Sequence, residues 1–119
     1  MRNVKLRIVC RDQQGEIFFV DFSFHDLILG NFNFCLKIGT QEVLDIIECT
    51  GLRDKDGKEI WEGDILRGED DSKVKIIWDN GGFCIESGEE TWWLYGFNKY
   101  WEVVGNIYEN PGLLIGRVA

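Results

Sequence analysis

Thr50-Gly51-Leu52-Arg53-Asp54-Lys55-Asp56-Gly57-Lys58-Glu59-Ile60-Trp61-Glu62-Gly63-Asp64-Ile65-Leu66 places its glycines and acids where tight backbone turns need them. Asp56-Gly57 is a hairpin-turn dipeptide, because Gly accepts a positive φ freely and Asp tolerates one. Gly63-Asp64 predicts a second sharp turn, with a strand starting at Ile65-Leu66. Thr50-Gly51 predicts a break after Gln41–Cys49, an apolar run that suits helix or strand and is read here as strand. The whole stretch is therefore two turns with short strands around them.

The same grammar extends outward. Lys73–Trp78 and Phe83–Glu86 read as strands joined through Asn80-Gly81, among the strongest short hairpin signals. Thr91–Tyr95 and Tyr100–Ile107 follow as further strands, and Leu113–Val118 as a short tail capping the core. Upstream, Val4–Cys10 alternates apolar and basic residues as a half-buried strand does. Glu16–Phe24 pairs with it across the turn Arg11–Gly15. Between them and Gln41, Asp26–Leu29 predicts a helical turn, and Asn31–Ile38 a strand or an irregular loop. Short strands, frequent turns and little helix predict a mainly β protein. Residues 49–119 are expected to form a small SH3-like β-barrel, and residues 1–48 a β-rich N-terminal arm packed on it, or the two one integrated domain.

Three blocks of this chain resemble the YopX family of phage and prophage proteins. They are Thr50-Gly51-Leu52 through Glu62-Gly63-Asp64-Ile65, then Val74 to Trp78 with Gly82-Phe83, then Trp101-Glu102-Val103-Val104-Gly105-Asn106-Ile107-Tyr108-Glu109-Asn110-Pro111. Their order and spacing cover most of residues 49–110, and Val4–Arg7 fits as well. The resemblance implies an SH3-like barrel encoded by a phage or prophage, and offers no catalytic residue to carry over. Gly51, Asp54, Asp56, Gly57, Glu62, Gly63, Asp64, Trp78, Gly82, Trp101, Gly105, Asn106 and Pro111 are its structural motif. Residues 20–48 and Thr91–Tyr95 depart from the pattern, so this protein's own specificity is expected there.

Composition narrows the function. Apolar residues make up 45% of the 119, enough for a folded core. No run approaches the ~20 apolar residues of a membrane span. Charges interrupt the N-terminal apolar residues, which does not fit a signal peptide and predicts a cytoplasmic protein. The net charge of -8 makes a poor partner for nucleic acid, whose affinity comes from cations on phosphates. These acids serve as a solvated surface or as a face for a basic partner. Cys10, Cys35, Cys49 and Cys84 are widely spaced and accompanied by one histidine, His25, which predicts free, mostly buried thiols and no zinc site.

No nucleotide loop or nucleophile motif is present, no cofactor or metal is implied, and an enzyme is not expected. Paired carboxylates at Asp54/Asp56 and Glu62/Asp64 would suit a metal-dependent hydrolase. Asp54-Lys55-Asp56-Gly57 also opens like a calcium loop, yet the closing position twelve holds Ile65 where Glu belongs. Turn formation is the favoured role, with Asp54 and Asp56 accepting backbone N–H groups and Asp64 capping a strand entry. Aromatics are the better lead. Trp78 and Trp101 are assigned to the core. Adjacent Trp92 and Trp93 point to opposite faces of a strand, so both cannot enter one core. With Tyr95 they pack beneath the arm, form a self-association surface, or bind a ligand. The favoured function is a non-catalytic interaction module that self-associates or binds a host or phage protein. Nucleic-acid binding through the aromatic face is the alternative.

Overall fold

The computed structural model of the chain describes residues 4–23, 25 and 41–114. The expected helical turn at 26–29 and the segment 31–38 lie outside them, as does Cys35. The protein is mainly β, with nine strands in two antiparallel sheets and two short 3₁₀ turns among the described residues. Strand order is β2-β1-β3-β4 in one sheet and β8-β7-β6-β5-β9 in the other. Neither order closes on itself among the described residues, so the closed barrel of the sequence reading is replaced by open sheets. The chain divides into two compact units, residues 1–49 and 50–119.

In the first unit, β1 (Lys5–Asp12) and β2 (Ile17–Ser23) form the expected hairpin, and β1 also pairs with β3 (Gln41–Arg53). Ile8, Val9, Cys10, Ile47 and Cys49 are buried. Simple alternation in β1 therefore ends at Ile8, and a bulge against β3 lies between Val9 and Cys10. Arg7 is half-buried. Its guanidinium grips the cross-strand carboxylate of Asp21 at 2.6 and 2.9 Å and sits 4.6 Å over the ring of Phe19.

Gly51 does not break β3. The strand runs through it with φ at +77° and ends at Arg53. Thr50 makes this tolerable: its hydroxyl donates to the carbonyl of Ile60 at 2.7 Å and accepts the N–H of Leu52 at 3.1 Å. The kinked backbone is thus satisfied locally, beside β4 (Glu59–Trp61).

The second unit holds β5 (Asp64–Arg67), β6 (Lys73–Asp79), β7 (Gly82–Ser87), β8 (Glu90–Trp93) and β9 (Glu102–Asn106). Its core is Ile60, Leu66, Val74, Ile76, Ile85 and Leu94, with Leu52, Phe83, Trp101 and Val103 packed against it. Val74 and Ile76 follow the two-residue period of β6 inward. Asn80-Gly81 makes the predicted two-residue turn between β6 and β7, both residues at positive φ as a type I′ turn requires. Tyr100, read as the start of the last strand, closes a 3₁₀ turn, Asn98–Tyr100, and β9 begins two residues later. Pro111–Leu114 forms a second 3₁₀ turn.

Candidate functional site

The motif residues serve architecture, and the hydrogen bonds show how. Asp54 is buried. One of its carboxylate oxygens accepts the N–H of Asp56 and of Lys58, both at 2.9 Å, and the other accepts the N–H of Val103 at 2.9 Å. Asp56 contributes that backbone N–H, and its side chain is exposed; the expectation that its carboxylate serves as a turn acceptor is not what these bonds show. Gly57 takes the left-handed position that ends the turn. Lys55 N–H also reaches the carbonyl of Trp101 at 2.9 Å. One end of the opening motif is thereby tied to the third block.

Gly63 ties the other end. Its N–H donates to Ile76 in the second block at 2.8 Å, and its carbonyl accepts from Ile107 in the third at 2.9 Å. Its φ is +87°, and a Cβ there would stand 3.1 Å from the ring of Tyr108, so both conformation and space demand glycine. Glu62 precedes it, half-buried in the same turn. Asp64 is buried and accepts the N–H of Trp61 at 2.8 Å, capping the entry to β5. In the third block, Gly105 lies against the side chain of Asn110, where a Cβ would clash at 2.6 Å. Asn106 accepts the N–H groups of Tyr108 and Glu109 at 3.0 and 2.8 Å and so shapes the turn that leads to Pro111. The carboxylates of Asp54 and Asp64 are thus spent on separate backbone turns. Among the described residues no group of three or more His, Cys, Asp or Glu is placed to hold a metal.

A model of the YopX protein family matches residues 7–115. The chain belongs to the YopX family. A search of curated proteins finds no match. In this YopX chain the motif blocks hold one another through Asp54 and Gly63.

The aromatics behave differently. Trp101 joins the core as assigned, its ring against Gly68. Trp78 does not: it is 52% exposed. It shares the inward parity of Val74 and Ile76 but stands at the turn end of β6, past the core, packed edge-on against Phe83 at 4.9 Å. Trp92, Trp93 and Tyr95 are exposed by 44%, 54% and 80%, and Phe97 and Tyr100 are exposed beside them in sequence. Trp93 lays its ring over Gly82, where any Cβ would meet it at 2.5 Å. Trp92, opposite Ile85 across the β7–β8 ladder, lines a small apolar cleft of about 140 Å³ with Ile85, Phe97 and Trp101. A larger cleft of about 340 Å³ is lined by Asn80, Cys84, Thr91, Trp92, Trp93 and Phe97.

Phe97, Thr91 and Asn80 are additions to the sequence reading. The signal for Phe97 was available: residues 92–101 hold six aromatics, Trp92, Trp93, Tyr95, Phe97, Tyr100 and Trp101. Cys84 lies beneath this cleft. Burial, and then the carboxylate of Asp79, push its thiol pKa above 9.0. It is therefore a protonated wall residue at neutral pH rather than a nucleophile. Cys10, Cys49 and Cys84 are buried, and His25 is exposed.

Proposed function

We propose that this protein is a non-catalytic interaction module of a phage or prophage, acting in the bacterial cytoplasm through the aromatic surface around β8. Residues 50–119 would then be an open variant of an SH3-like roll. The observation that carries the proposal is the cluster of Trp92, Trp93 and Phe97 at a cleft on the outermost strand of the second sheet. Exposed aromatics of this size, concentrated at one place, mark recognition surfaces on soluble proteins. The carboxylates of Asp54 and Asp64 are committed to backbone amides, which favours scaffold over hydrolase.

Self-association is a second reading, favoured by β8, which among the described residues pairs on one side only, because an unpaired edge strand is a template for another chain. Nucleic acid is disfavoured by the charge of -8.

A tagged pull-down from host lysate, with and without nuclease, tests the proposal, with Trp92→Ala as control. A protein retained through nuclease and lost in the variant is expected. Capture that vanishes with nuclease, or that ignores the substitution, defeats it.

A further inference from the structure

We propose that the outer edge of β8 receives an extended basic peptide segment of a protein partner, added as a strand beside Thr91 and Trp93. The proposal rests on the interaction-module reading and names the partner's chemistry.

The backbone geometry comes first. In an antiparallel ladder, successive residues direct their N–H and C=O alternately toward and away from the neighbouring strand. Leu94 donates its N–H to the carbonyl of Phe83 at 3.0 Å, and Trp92 stands opposite Ile85. Glu90, Trp92 and Leu94 therefore face β7. Thr91 and Trp93 direct their N–H and C=O outward, and β8 is the end strand of its sheet among the described residues. All four residues of β8 are exposed. The edge thus presents two donors and two acceptors in strand spacing, the arrangement by which sheets bind extended peptides.

Charge selects the peptide. Asp79, Glu89 and Glu90 are exposed around the edge and cleft. Asp79 is near enough to Cys84, a wall of the cleft, to raise its pKa. The neighbouring cation Lys99 lies 5.6 Å over the ring of Tyr100. Three acids thus stand against this one cation, and a second copy of this chain would bring the same acids to the edge. A peptide with Lys or Arg at alternate positions meets those acids and offers its cations to the indole face of Trp93. Its intervening apolar residues fit the cleft beside Phe97.

The test uses the full chain and three synthetic heptapeptides that alternate Leu with Arg, with Ser or with Glu, followed by tryptophan fluorescence and calorimetry. The Leu/Arg peptide is expected to bind, with affinity falling as salt rises. The other two should bind at least tenfold more weakly. Glu89→Gln/Glu90→Gln should weaken the Leu/Arg peptide by about tenfold, as two rim charges do. Thr91→Pro removes an outward N–H while leaving the bonds to β7 intact, and should abolish binding in a protein whose circular dichroism is unchanged. If that variant unfolds, the charge variant and the salt series decide by themselves.

Equal binding of the Leu/Ser peptide, or no binding of any peptide at millimolar concentration, overturns the proposal. So does sedimentation showing a dimer that the charge variant strengthens, because a second copy then holds the edge. Those results leave the module reading standing if Trp92→Ala still loses a captured protein.

Discussion

Asp54 shows what one carboxylate does in this protein. It satisfies three backbone N–H groups, one of them 49 residues away on Val103. Asp54→Ala would leave those donors without their acceptor in a buried place, at a cost of about 3 kcal/mol. Asp56→Asn, at an exposed side chain two residues on, should change stability by less than about 0.5 kcal/mol. Urea melts of the two variants check the contrast, and equal losses would refute the assignment. Asp70 offers a pH test. The hydroxyl and N–H of Ser72 bond its carboxylate at 2.6 and 3.1 Å and hold its pKa below 3.8. A carboxylate lowered in the folded state favours folding above its ordinary pKa, and that gain disappears as pH falls through the folded value. Ser72→Ala should return the Asp70 midpoint toward 3.8 in a carboxyl-detected NMR titration. Cys10 and Cys84 act with the opposite sign. Burial raises both thiols, so their contribution is complete below 9.0 and is lost as pH rises through the folded values. In the native protein Cys10 and Cys84 should resist a thiol reagent at pH 8, and both should react once it is unfolded.

At the scale of elements, one turn design recurs three times. Asp12 to Glu16 and Asp54 to Lys58 close with the same pair of backbone bonds, and each opening Asp accepts two N–H groups of its own turn. Gly15 and Gly57 fill the left-handed position. Gly68 to Ser72 repeats the bonds, but its left-handed position holds Asp71 at φ 66°. Asp71→Gly should therefore stabilise the protein, by up to about 1 kcal/mol. Its ion pairs with Arg67 at 4.0 Å and Lys73 at 3.9 Å are exposed and worth only a few tenths of a kcal/mol each, which reduces but does not cancel the gain. A lower melting temperature would show that those pairs matter more than backbone strain. The β8 strand is the opposite kind of element. It is short and wholly exposed, begins at Glu90 and follows Glu89, as an edge protected from random association by charge would be.

For the whole molecule, the larger core lies within residues 50–119: Ile60, Leu66, Val74, Ile76, Ile85 and Leu94 are all there. Residues 50–119 are therefore expected to unfold cooperatively as an isolated fragment. Ile76→Ala should cost about 3 kcal/mol in that fragment and in the full chain alike. A non-cooperative melt of the fragment would show that it needs residues 1–49. The three family blocks meet inside the same unit. Gly63 bonds to Ile76 and Ile107, and Asp54 to Val103, so the turn-rich strings form a mutual clamp.

Much of this was legible from local chemistry. Asn80-Gly81, Asp56-Gly57 and Gly63-Asp64 specify turns because φ preferences and short Asp side chains act within a few residues. Lys73–Trp78 reads as a strand for the same reason. The matches end where distance along the chain takes over. Nothing near Asp54 announces Val103, and nothing in Lys73–Trp78 says that the core stops before Trp78. Gly51 reads as a break until Thr50 is seen bonded to Ile60. Likewise, adjacent tryptophans require opposite faces, but only the β7–β8 register turns Thr91 and Trp93 outward and leaves both rings exposed. Local sequence sets backbone angles; which strand stands at an edge depends on pairing between segments far apart in the chain.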